Sequence, residues 1–169
     1  MMRSLPWRRA PLLAPLLAPL LCALGSAHAG TVTVEFLHPE SYTDVHVEGD
    51  VNVQVLQPLA QGLKRLGQRL PADQTLAIQV SNIDLAGDWR PPPRLGLDVR
   101  VMTPASWPRI DLHYQLKDAS GRDLQAGDAE IKDMGYQDSI TTLIDSTPLR
   151  YEQKMLRDWF NRTFPDPGP

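Results

Sequence analysis

Apolar residues recur at every second position in five short runs and at helical spacing in two longer ones. That change of period constrains the fold more than any other feature. A period of two marks a strand with one buried face, and a period near 3.6 marks a helix lying on a core. Val32, Val34 and Phe36 alternate within residues 31–36. Leu76, Ile78 and Val80 do the same, after which Ile83 and Leu85 carry the apolar face. A shift of one residue flips every side chain, so a bulge is expected near Ser81 and Asn82. Leu95, Leu97, Val99 and Val101 form a third run, and Ile110, Leu112, Tyr114 and Leu116 a fourth. Leu124 and Ala126, then Ala129 and Ile131, form a fifth, with a second parity change expected at Gly127 and Asp128.

The helical stripes flank these strands. Leu56, Leu59, Ala60, Leu63, Leu66 and Leu70 predict an amphipathic helix within residues 51–70. Pro58 either kinks it or sets its start at Gln57, and Pro71 ends it. Thr147 as N-cap with Pro148 in the first turn predicts a second helix, running to about Phe164. Leu149, Tyr151, Met155, Leu156, Trp159 and Phe160 supply its apolar face. Residues 39–49 read as a loop with a short extended piece at 44–48, and 133–146 as irregular. The order is β-α-β-β-β-β-α. Short links favour an antiparallel meander of strands two to five. The expected fold is α+β, a two-layer sandwich of a mostly antiparallel five-stranded sheet with two helices on one face.

The first 29 residues stand apart from this pattern. Arg3, Arg8 and Arg9 precede the apolar run APLLAPLLAPLLCAL at 10–24, and Ala27-His28-Ala29 follows it. This is the layout of a cleavable secretory signal, cut between Ala29 and Gly30. A spanning helix needs about 20 apolar residues; this run holds three prolines, which break helices. Leu21 before Cys22 argues against lipid attachment. A single domain from Gly30 to about Phe164, a frayed tail at 165–169 and a periplasmic location are therefore expected, with no stable membrane insertion.

Removing the leader takes away three of 17 basic residues and none of the 20 acidic ones, leaving 14 against 20 and a net charge of −6. That balance disfavours nucleic acid as a partner. The only cysteine, Cys22, leaves with the leader. Disulfides, thiol nucleophiles and thiolate metal sites are then excluded from the mature domain.

No motif for nucleophilic catalysis or phosphate binding is present. Asp44, His46 and Glu48 alternate as metal ligands on one strand face would, and equally as a solvated edge strand does. No metal and no cofactor is expected. Asp84 and Asp88 flank a turn, where aspartate is an ordinary turn residue. Trp89 precedes Pro91-Pro92-Pro93, Trp107 opens the fourth run with Pro108 and Arg109, and Asp133, Met134, Gly135 and Tyr136 follow the fifth. Tryptophan in a loop packs or binds. One expectation is that Trp89 and Trp107 plug the ends of the core, with Arg109 paired to Asp133 or Asp158. The other is that Asp84, Asp88, Trp89, Trp107, Arg109, Asp133 and Tyr136 border a binding groove.

The segments Val32-Thr-Val-Glu-Phe36, Ile83-Asp-Leu-Ala-Gly87, Arg100-Val-Met102, Trp107-Pro-Arg-Ile110 and Asp158-Trp-Phe160 resemble, in order, the proteobacterial "domain of unknown function 3016" proteins. So do Asp133-Met134 with Tyr136 and Tyr151-Glu152 with Met155-Leu156. The resemblance implies an exported bacterial protein without assigned activity and supplies no catalytic residues.

Three functions remain open from sequence. The first is a non-enzymatic module binding an envelope protein or small ligand, through loops rich in Trp, Tyr and Arg. The second is a hydrolase using Asp84, Asp88, Asp111 or Asp133. The third is a small-ligand or metal carrier built on His46 and His113.

Overall fold

The structure is a computed structural model that describes residues 30–47, 50–90 and 99–165. The leader, residues 91–98 and the tail from 166 lie outside the described residues, so the expectations for Ala29, Leu95 and Leu97 fall there too. Glu48 and the His46 side chain are likewise not described.

Four strands form one sheet: β1 (Thr31–Phe36), β4 (Thr75–Asp84), β7 (Arg109–Lys117) and β8 (Asp123–Lys132), in the order β1-β4-β7-β8. β1 runs parallel to β4, and the other pairs are antiparallel. Helix α1 (Val53–Gly67) makes the crossover between the parallel strands, and α3 (Arg150–Thr163) lies beside it over the same face. Leu59 and Leu63 of α1 and Met155, Leu156 and Phe160 of α3 meet Leu76, Ile78, Ile83, Ile110 and Leu112 of the sheet in one core. The other face carries Glu35, Gln79, His113 and Asp128 in one row across the four strands. The expected helix-covered α+β sheet is found, with a strand fewer.

The missing strand has a local cause. Val99–Val101 (β6) pairs antiparallel with Asp88–Arg90 (β5) as a separate ribbon. Arg100 is the anchored residue there, reaching the Ala86 and Gly87 carbonyls at 3.0 and 2.8 Å. Its inward position turns Val99 and Val101 outward, so the apolar face read as core is exposed. A second small ribbon, β2 (His46–Val47) with β3 (Asp50–Val51), occupies the expected extended piece.

The bulge in β4 lies between Val80 and Asn82 as expected. The Val80 carbonyl beside it accepts the Leu37 N–H at 2.8 Å and the buried Tyr42 hydroxyl at 2.6 Å. Burial pushes the Tyr42 phenol up to about 12.

The expected parity change at Gly127 and Asp128 does not occur. The β7–β8 ladder is regular from Gln125 to Lys132, and the irregularity falls at Leu124. Gly127 holds a core-face position because the Tyr114 ring fills the space: a Cβ there would lie 3.3 Å from the hydroxyl. Tyr114 in turn meets Trp159 and Phe164 edge-on, at 5.7 and 5.5 Å between ring centroids.

Helix α1 starts at Val53, where the Asn52 side chain accepts the Gln54 N–H, so it neither begins at Gln57 nor runs to residue 70. Pro58 lies inside it. The helix rests directly on β1: a Cβ on Gly67 would fall 1.8 Å from Val32 Cγ2.

The second long helix starts at Arg150 and not at Thr147. Thr147 lies two residues before the N-cap, Leu149, and its N–H and hydroxyl donate to the Asp145 carboxylate. Leu149 adopts a left-handed conformation, φ 58°, at the junction. A short helix, α2 (Ile140–Ile144), occurs in the stretch read as irregular.

Candidate functional site

Both long helices begin at the end of the sheet where β1 and β4 finish and β7 starts. Most of the residues singled out from sequence gather at this end. Asp84 and Arg109 are direct neighbours across β4 and β7. Asp133 follows β8, with its N–H donating to the Pro108 carbonyl at 3.3 Å. Tyr136 is buried against Ala86 and Tyr151, and its hydroxyl donates to the Thr103 carbonyl at 2.8 Å.

Their partners differ from those expected. Trp89 is 53% exposed and Trp107 36%, so neither plugs the core. Trp89 lies over the Arg100 guanidinium instead, at 4.9 Å. Arg109 binds Asp111 at 2.8 Å and approaches Glu130 at 3.9 Å. Asp133 and Asp158 both bind Lys154, at 3.3 and 2.8 Å. Asp88 is exposed, 3.8 Å from Arg90. Burial raises the Asp84 carboxyl, and Asp44 adds to the effect. Of the four aspartates read as possible acids, Asp111 and Asp133 are thus held in ion pairs. His113 is paired with Asp128 at 2.8 Å on the open face. Among the described residues no group of three His, Cys, Asp or Glu is placed to hold a metal ion.

Two residues that carry the family resemblance, but were not among the candidate site residues, organise the site. Arg100 joins four segments through Trp89, the Ala86 and Gly87 carbonyls, and Asp44 at 2.6 Å. Glu152, on the first turn of α3, is 2% exposed and accepts the Ala86 N–H at 2.8 Å. Burial pushes its carboxyl well above the usual range, against the pull of the Ala86 amide. A signal for Glu152 existed: it stands at i, i+3, i+4 and i+7 with Met155, Leu156 and Trp159, in the middle of the apolar stripe.

Between the ribbon and the start of α3 lies a depression of about 230 Å³. Leu85, Met102 and Leu149 give it an apolar wall, Arg100, Arg150 and Glu152 line its polar side, and Ser146 is at its rim. A wider trough of about 420 Å³ crosses the open sheet face, but its charged groups are mutually paired, Arg109 with Asp111 and His113 with Asp128. A third hollow, at the far end, is lined by Leu70, Pro71, Phe160 and Phe164.

The class is a two-layer α+β domain with a largely buried arginine–aspartate pair at the end where both long helices begin. The chain belongs to the DUF3016 family, proteins of unknown function, whose model matches residues 30–162. No curated protein matches it, and no solved structure does.

Proposed function

We propose that this chain is an exported, non-enzymatic binding module of the cell envelope, with its ligand site in the depression beside Arg100. Export rests on the basic, apolar and small-residue succession of the first 29 residues. The family match covers residues 30–162, so it starts at the residue expected to follow the cut. The observation that carries binding is the depression itself. It joins an apolar wall to two arginines beside an exposed tryptophan, the composition expected of a ligand pocket, whereas Asp111 and Asp133 are paired with Arg109 and Lys154.

Two measurements test the reading. Mass determination of protein released by osmotic shock from a bacterium expressing residues 1–169 should give a chain starting at Gly30. Full-length protein retained in the cytoplasm would overturn export. A thermal-shift screen of small metabolites should find compounds that stabilise the mature domain but not Ser146→Trp, which fills the rim with an indole. A screen in which both proteins respond alike to every compound would overturn binding at this site.

A further inference from the structure

Arg150, the first residue of α3, has a buried Nε without a hydrogen-bond acceptor, the only such buried side-chain atom among the described residues. Buried donors are almost always paired, so an orphan calls for a partner. The guanidinium lies over the Tyr151 ring at 4.7 Å, and Nη2 donates to the Tyr151 hydroxyl at 3.2 Å. The acids nearest it in sequence are taken: Asp145 by Thr147, and Glu152 by the Ala86 amide. Arg100, the other guanidinium of the depression, is already satisfied by Asp44 and two carbonyls. Arg150 lines the depression beside a wall made by Leu85, Met102 and Leu149, and its buried, unpaired Nε becomes available to a ligand there when the side chain turns toward it. The backbone of Leu149 is held in the left-handed region, at φ 58°, a strain that concentrates at functional positions.

We infer that the depression binds a small organic acid, its carboxylate set against Arg150 and its apolar body against Leu85, Met102 and Leu149. The inference rests on the binding-module reading and adds the ligand class. Guanidinium and carboxylate match in charge and geometry. The volume of about 230 Å³ equals roughly seven or eight waters at about 30 Å³ each, the size of an aliphatic or single-ring acid. One free guanidinium with Glu152 and Asp145 nearby suits a single negative charge better than the double charge of phosphate. Burial drives Glu152 toward its neutral form, which lessens repulsion of the ligand.

The test is calorimetric titration and thermal shift of the mature domain with hexanoate and benzoate. Hexanamide, benzamide and inorganic phosphate serve as controls. The acids should raise Tm and titrate at millimolar concentration or below, and the amides and phosphate should not. Arg150→Met should abolish the response while melting at or above the parent, because the orphan donor goes with the side chain. Amides as effective as their acids, phosphate as effective as either, an Arg150→Met protein that still responds, or silence with both acids would each overturn the inference. A neutral metabolite that stabilises the parent but not Ser146→Trp, with both acids silent, would overturn the ligand class and leave the binding module standing.

Discussion

Trp89 covers one face of the Arg100 guanidinium at 4.9 Å, while Asp44 closes on the same group at 2.6 Å. Both partners of the ion pair are about four-fifths removed from solvent, their side chains 17% and 19% exposed. Removing one partner of such a pair strands the other. Arg100→Met should therefore lower the unfolding free energy by about 2–4 kcal/mol. Trp89→Ala, which removes a half-exposed ring, should cost about 0.5–1 kcal/mol. Urea unfolding monitored by circular dichroism checks both. Equal costs would mean that the ring, and not the ion pair, holds the ribbon to the domain.

The Tyr42 hydroxyl donates to the Val80 carbonyl, beside the bulge in β4. Val80 O keeps the Leu37 amide when this hydroxyl is gone. Tyr42→Phe should cost about 1 kcal/mol, seen as a lower denaturation midpoint with an unchanged slope. A changed slope would mean that the segment 39–45 has detached.

Much of this architecture was legible because the buried faces of β1, β4 and β7 are apolar along most of their length. Val32 with Val34, Leu76 to Val80, and Ile110 to Leu116 alternate as the structure places them, and the bulge at Val80–Asn82 shows as a break in parity. Legibility fails where one side chain does work that its type does not announce. Arg100 and not its flanking valines is the anchored residue of β6, so the valine pattern pointed to the wrong face. Gly127 looks like a break but is a vacancy filled by the Tyr114 ring from the neighbouring strand. Thr147 has the chemistry of an N-cap, yet Asp145 two residues earlier competes for it. Of the candidate site, the sequence marked the neighbourhood through Trp89, Trp107 and Tyr136. It hid Arg150, because charged residues on a helix ordinarily face water, and it marked Glu152 only by its place in the apolar stripe.

The contact between Gly67 and Val32 makes a testable coupling. A Cβ on residue 67 would sit 1.8 Å from Val32 Cγ2, which requires α1 to lift from β1 or the valine to move. Gly67→Ala should cost about 1–3 kcal/mol through overpacking, against the small gain expected from alanine in a helix. Val32→Ala alone should cost about 1–3 kcal/mol. The double variant should be more stable than the sum of the two losses predicts, since each change relieves the other. Simple additivity would place the helix farther from the strand than the structure does.

The burial of Glu152 sets the sign of a pH dependence in the domain's stability. Its folded-state carboxyl is raised by burial above the unfolded value of about 4.3. Below that value both states hold the proton and the group costs nothing. Between the unfolded and folded values the native state binds a proton that the unfolded state has released, so stability falls as pH rises, by at most about 1.4 kcal/mol per pH unit. Beyond the folded value the loss is complete and the curve is flat again. Glu152→Gln keeps an acceptor for the Ala86 N–H and cannot ionise. It should match the parent most closely near pH 4 and gain on it as pH rises. Asp84 is raised for the same main reason and contributes with the same sign, whereas Asp118 and Asp145 are lowered, chiefly by hydrogen bonds from Ser120 and Thr147, and act in the opposite sense. The difference between parent and Glu152→Gln cancels all three. Urea midpoints for the two proteins across about pH 4 to 8 check the prediction. A difference that stays constant, or shrinks, with rising pH would show that Glu152 ionises in the folded domain at the same pH as in the unfolded chain, or below it.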